Sequence, residues 1–341
     1  MLKTHLNKEP YFSVIIPAYN AENFIERAIE SVQKQSFSNW ELIIVENGST
    51  DHTTEICSRY IKDNKVFLTH SERGVSRARN KGMSLVRGKW VVFLDADDVL
   101  LNNALSSFYE IDNIYEPDLI NGKLFIQGKD YSGSIAIYKD KTLNNYLKQC
   151  LELPTQKCNI AGTAFKRVLI EKNKVLFEQN IHYAEDSLFY LQVLSYCLII
   201  VSIDSPVYKV FYYLNSAVRS GKKCLDSEYL PAINKIGSLL DLKDQEIRNY
   251  WYLFTLNQLL VILVNDVFAR KESIRKQKND ARKVMEISEF KNAIDNVDLS
   301  VAHGVNKVMF FMMKKRMMAG ISIAAHYKRN QNIRKAKSQN V

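Results

Sequence analysis

Asp95, Asp97 and Asp98 follow directly on the apolar residues Val91, Val92, Phe93 and Leu94 in "VVFLDADDVL". Clustered carboxylates repel one another, so something must compensate them. A divalent cation held by hard oxygen ligands is one answer. A solvated strand end leading into a helix N-terminus, where acids are favourable, is the other. The elements that carry these residues decide between the two.

Short apolar runs at 12–16, 40–45, 65–70 and 89–94 read as strands. The first ends at Pro17. Between them, "AENFIERAIESVQKQ" spaces its apolar residues as a helix, Thr53 or Thr54 caps a second helix, and "SRARNKGMSLVRG" is a third with Gly88 as its C-cap. Alternating strands and helices imply a parallel sheet with right-handed crossovers. Ligands of such sheets bind outside the carboxyl ends of the strands. "PAYN", "ENGSTD" and "DADD" all fall there. This convergence of polar segments on one rim favours the metal reading. No G-x-G-x-x-G follows the first strand, and no P-loop pattern occurs, so dinucleotide and P-loop sites are not expected. Further on, 101–116 reads as a helix, "DLINGKLFIQG" as a strand into a turn, and "NIAGTAFKRVLIEKN" as a turn into a helix. "HYAEDSLFYLQVLSYC" reads as an acid-led helix, "PVYKVFYYL" as a strand, and 226–300 as mostly helical.

The 341 residues suffice for one large or two ordinary domains, with a globular composition. Five scattered cysteines without C-x-x-C point to a reducing compartment and no zinc site. "MLKTHLNKEP" lacks the apolar core of a signal peptide. The most apolar stretch, 250–264, is about 22 Å long as a helix and fits a buried helix better than a bilayer span. The net charge of +10 belongs to the tail: nine Lys or Arg and no Asp or Glu lie from residue 301 on, leaving 38 basic against 37 acidic residues before it. A nucleic-acid groove spread through the fold is therefore not expected.

The ordered segments "VIIPAYN", "SVQKQSFSNWELIIVENGSTD", "GVSRARNKGM", "FLDADD" and "YAEDSLF", over roughly residues 11–215, resemble the family 2 glycosyltransferases. These are inverting enzymes of the GT-A fold, in bacteria often builders of surface polysaccharide. The resemblance implies an α/β fold with a Rossmann-like nucleotide-binding sheet flanked by helices, here with a helical C-terminal extension. It implies a nucleotide-sugar donor, most simply UDP-linked, bound with Mn2+ or Mg2+. By the same analogy Asp97 is the direct metal ligand, with Asp95 near the ribose or reaching the metal through water; Asp98 is a ligand or a helix cap. Pro17 and Tyr19 pack on the nucleoside. Glu46 and Asn47 recognise the base, Glu46 standing where the family usually has Asp. Arg79, beside Asn80, meets the nucleotide or the rim carboxylates. In "YAED", Asp186 is the general base and Glu185 is structural or orients the acceptor; the alternative is that both acids only start a helix. Leu214 stands where the family often has Arg or His.

The expected organisation is a GT-A domain over 1–220, with a nucleotide-sugar half at 11–98 and an acceptor half at 99–220. A helical extension at 221–300 and a basic tail at 301–341 follow. The expected acceptor is a hydroxyl of a glycan or polyprenyl-linked glycan. The alternative function is a drifted sugar-nucleotide or glycan-binding module, for which Glu46 and Leu214 speak. In the tail, Val305, Val308, Met309, Met312 and Met313 share one face of a helix over 305–318, with Lys307, Lys314, Lys315 and Phe311 opposite. Such a helix suits the interface of an anionic membrane, placing the protein in the cytoplasm on the inner membrane face; a Met-rich helix docked on protein is the alternative.

Overall fold

The four N-terminal apolar runs form parallel strands in the computed structural model, which describes residues 9–62, 64–211, 225–304 and 306–339. They are β1 (Phe12–Ala18), β2 (Trp40–Glu46), β3 (Val66–His70) and β4 (Trp90–Phe93), in the order β3-β2-β1-β4. Between them run α1 (Ile25–Gln33), α2 (Thr53–Ser58) and α3 (Val75–Met83). β1 and β2 are buried along their whole length, as continuous apolar strands of a parallel sheet require. β1 does not stop at Pro17 but pairs with β2 through Ala18. Its register with β4 has ended at Ile15, so the missing proline N–H costs no bond on that side.

Two local expectations are corrected. α3 ends at Met83, so Gly88 is not its cap. A Cβ on Gly88 would lie 2.6 Å from the Ser13 backbone nitrogen, and close approach to β1 explains the glycine. Likewise α2 is capped from outside: Asp51 Oδ1 accepts the Thr53 N–H (3.0 Å) and hydroxyl (2.6 Å).

Beyond β4 the sheet becomes mixed, where the sequence pattern suggested only parallel pairing. β8 (Thr163–Lys166) runs antiparallel to β4. Those residues looked like a turn because a four-residue strand carries too little alternation to register. β6 (Leu119–Leu124), β9 (Ile199–Lys209) and β5 (Val99–Leu100) complete the order, and β7 (Ile135–Lys139) pairs with β9. α4 (Ala104–Tyr115) contributes Leu105, Phe108 and Ile111 to the core on one side of the sheet. Phe93, Phe165, Phe177 and Phe189 pack edge-on and stacked on the other, Phe177 lying 4.0 Å from Phe189.

The chain divides into two compact units. The sheet belongs to the first, made of Met1–Tyr146, Asn159–Asn180 and Glu185–Val210. The second takes Leu147–Cys158, Ile181–Ala184 and the described residues from Phe211 onward. Its axis is α10 (Gln245–Asn265), started by Asp244, which accepts from the Glu246 and Ile247 N–H groups. The helix Gln245–Ala269 is long and apolar enough to cross a membrane, but 78% of its most apolar 18 residues are buried inside the protein. α12 (Ser288–Asn296), α13 (Asn306–Lys314) and α14 (Met318–Gln339) pack on it.

The tail is therefore not one helix over 305–318. It breaks at Arg316, whose φ is +53°. The apolar side expected to meet lipid is used in packing: Met309, Phe310 and Met313 are buried, whereas Val308 is 60% exposed. Val305 lies outside the described residues, as do Leu214 and the rest of 212–220.

Candidate active site

α3 links two groups of polar side chains at the carboxyl ends of the parallel strands. At its start, the Gly74 N–H donates to Asn47 Oδ1 (2.8 Å), tying the helix to the end of β2. About 7 Å further along a helix rising 1.5 Å per residue, Arg79 is buried and points its guanidinium to two carboxylates. Nη2 donates to Asp95 Oδ1 (3.1 Å) and Nη1 to Glu185 Oε1 (3.0 Å). The Arg79 side chain is only 6% exposed while that of Asp95 is 42% exposed, so Asp95 remains accessible to a ligand. Gly82 lets α3 come this close, since a Cβ there would lie 2.5 Å from Ile15 Cγ2. Asn80 clamps the Phe177 backbone from both sides (2.8 and 2.9 Å), and the Phe177 ring lies under Arg79, 5.1 Å from its Cζ.

Burial opposes the Arg79 charge, but Asp95, Glu185 and Asp186 more than offset it. The acid pair opens α8 (Glu185–Leu194) directly after Ala184, which has φ +59°. A non-glycine residue there is strained by roughly 1–2 kcal/mol, a placement characteristic of functional segments. Asp186 Oδ1 accepts the Ser187 N–H (2.7 Å), so the helix-starting role is present, but it does not exhaust the pair. Burial pushes the Glu185 carboxyl up to about 7, with repulsion from Asp186 adding to it and Arg79 opposing. Burial likewise raises Asp186 against the pull of Arg79. A raised carboxylate suits proton uptake near neutral pH.

The turn after β4 is closed by the Asp98 N–H on the Asp95 carbonyl (3.1 Å). Asp95 and Asp97 are half-buried, while Asp98 is buried and accepts the Tyr208 hydroxyl (2.9 Å). Asp98 thus caps no helix. Arg27 Nη2 holds the Asp97 carbonyl (2.6 Å). Among the described residues no three His, Cys, Asp or Glu side chains gather to cage a metal ion. Two partly exposed carboxylates on one turn, Asp95 and Asp97, fit Mn2+ or Mg2+, which take one or two protein oxygens and complete their shell with water and phosphate.

The second group lies at the ends of β1 and β2. Glu46 Oε1 accepts the Ser49 N–H and Oε2 faces His70 Nδ1 (3.1 Å). Burial would raise this carboxyl, but these bonds more than compensate and hold it below the usual range. Tyr19 stays half-exposed with Arg73 over its ring, 4.7 Å from the centroid. Pro17 is buried within β1. Arg79, Asp95 and Glu185 are thus brought into direct contact, with Asp186 beside them. Glu46 and Asn47 organise their own loop. Tyr208, Arg27 and His70 were not singled out in the sequence: each reads as an ordinary strand or helix residue, and only pairing across 113, 70 and 24 positions reveals them.

Residues 13–170 match the family model described as glycosyl transferase family 2. The chain is 34% identical over 202 residues to the minor teichoic acid biosynthesis protein GgaA of Bacillus subtilis, covering 54% of this chain and 43% of that protein. It is 29% identical over 241 residues to the poly(ribitol-phosphate) beta-glucosyltransferase of Bacillus spizizenii, covering 67% and 36%. The chain thus spans less than half the length of either relative. Among solved structures, residues 1–349 of S. aureus TarS in complex with UDP-GlcNAc superimpose with a TM-score of 0.67 at 18% identity, covering 94% of this chain and 92% of that one. Strand order, motif positions and these matches agree: residues 13–170 match the glycosyl transferase family 2 model, and the fold is the GT-A fold of the solved neighbours.

Proposed function

We propose that the chain is an inverting glycosyltransferase that moves a sugar from a nucleotide donor, UDP-linked, to a hydroxyl of a glycan or lipid-linked glycan in surface-polysaccharide synthesis. The observation that carries this reading is the Arg79 bridge, which joins a donor-side carboxylate, Asp95, to the acid pair at Glu185. The naming of GgaA for teichoic acid biosynthesis and of the B. spizizenii relative as a beta-glucosyltransferase supports the acceptor class.

In this reading Tyr19 stacks on the nucleoside, above a floor that includes Pro17. Asn47 and Glu46 face the base, Glu46 through lone pairs left beyond its bonds to Ser49 and His70. Asp97, with Asp95, holds Mn2+ or Mg2+, which when bound offsets the negative charge that builds on the leaving diphosphate. The acceptor oxygen attacks the anomeric carbon from the face opposite the diphosphate. The carbon–oxygen bond to the diphosphate breaks, and Asp186 takes the acceptor proton. Arg79 keeps Asp95 and Glu185 in register and compensates their charge. A drifted binding module would not need this compensated acid pair.

A panel of sugar nucleotides tests the reading without the acceptor. One donor is expected to bind more tightly with Mn2+ and to undergo slow hydrolysis. Binding of no nucleotide sugar, or cleavage unaffected by chelator, contradicts it.

The reading extends to an anionic membrane surface on the cytoplasmic side. Lys307, Val308 and Phe311 recur at helical spacing on the exposed face of α13, and Lys315 is exposed just beyond its end. Ile323 and Tyr327 do so on α14. The helices run antiparallel, as the Lys328 bond to Asn306 requires. Exposed apolar groups ringed by lysine match anionic lipid, each lysine contributing roughly 1 kcal/mol. Cutting the tail away would strip Met309 and Phe310 from the core, so surface substitutions are the cleaner test. The chain is expected to co-sediment with phosphatidylglycerol vesicles and to leave them in high salt. Phe311→Ser with Lys307→Glu and Lys315→Glu should abolish this; unchanged sedimentation rejects the surface.

A further inference from the structure

The Asp95–Asp98 turn is held by a residue from the far side of the sheet. Tyr208 in β9 is fully buried. Its hydroxyl accepts the Asp95 N–H (3.1 Å) and donates to Asp98 Oδ2 (2.9 Å). One oxygen therefore touches the first and last residues of the turn. The strand register delivers it there: β9 pairs with β5 through Leu100↔Tyr208 and with β6 through Leu124↔Tyr208. Asp98, only 5% exposed, is the one carboxylate of the three turned fully inward. With Asp98 anchored inside and Arg27 on the Asp97 carbonyl, Asp95 and Asp97 are left as the partly exposed pair.

We propose that Tyr208 is a positioning residue for the donor site, fixing the Asp95–Asp98 turn through an anchor on Asp98 so that Asp95 and Asp97 face the diphosphate and its metal. This rests on the glycosyltransferase reading above. It assigns Asp98 to the anchor and not to the metal shell. A hydrogen bond to a charged group is among the stronger ones in a protein, and a turn lacking it samples orientations unsuited to the donor.

Tyr208→Phe removes only the hydroxyl. In the metal-free protein, amide exchange at Asp95 should quicken about tenfold, while the Leu94 amide, bonded to Ile15 in β1, keeps its rate. The donor dissociation constant and the Mn2+ concentration for half-maximal binding should each rise about tenfold. Asp98→Ala should produce the same shifts. The double variant should be less than additive, because both single variants remove the Tyr208–Asp98 bond. A lower melting temperature with unchanged Asp95 exchange, donor affinity and Mn2+ midpoint reduces Tyr208 to a packing residue and overturns the proposal. Additive effects overturn the anchor on Asp98. If the wild-type chain binds donor equally well in chelator, the metal reading fails separately, and Asp95 exchange with donor affinity still judges Tyr208.

Discussion

Arg79 Nη1 lies 3.0 Å from Glu185 Oε1, although 106 residues separate them in the chain. The same guanidinium holds Asp95 at 3.1 Å. A buried arginine with two acidic partners is costly to break, because the partners are left uncompensated. Arg79→Met is therefore expected to destabilise the fold by about 3–5 kcal/mol. Arg79→Lys keeps the charge but cannot serve both carboxylates with one planar fork. It should fold and lose activity by roughly a hundredfold. Wild-type turnover in Arg79→Lys, measured with saturating donor, contradicts the bridging role.

Asp97→Asn keeps size and removes charge. Arg27 holds the backbone carbonyl at this position, which the substitution leaves in place, so the melting temperature should stay near that of wild type. Mn2+-dependent donor binding should be lost, and turnover should fall at least about a hundredfold. Full activity in this variant, or in excess chelator, removes the metal from the account.

Asp186 acts deprotonated, and burial raises its carboxyl. The acid limb of the rate profile should therefore lie above the ordinary aspartate value of about 3.9, with activity disappearing as pH falls through the raised value. The repulsion within the pair falls on Glu185, raised to about 7 and so largely neutral across this limb, so Glu185→Gln should leave the limb close to its wild-type position. A limb at the ordinary value, or one that Glu185→Gln moves, means that another group titrates.

The parallel half of the sheet was legible because β1, β2 and β4 are buried on both faces and its helices have periodic apolar faces. The antiparallel half was less so: Thr163–Lys166 is four residues long and follows a glycine, and its pairing with β4 depends on partners 70 or more residues away. Motif residues at strand ends could be read one by one. Their wiring could not. Nothing local marks Tyr208 as the partner of Asp95 and Asp98, or gives Asn80 the Phe177 backbone. The tail shows the opposite error: Met309 and Met313 look like a lipid-facing stripe, yet they face protein. Periodicity reports an apolar face without saying what covers it.

Asp186→Asn with the preferred donor and acceptor is the most direct test of the central claim. Donor and Mn2+ should bind as in wild type, because the nucleotide side of the site is untouched. Transfer should fall by a factor on the order of 10²–10⁴, the scale of a lost general base. Normal transfer together with collapsed donor affinity would place Asp186 in the nucleotide site and contradict the account.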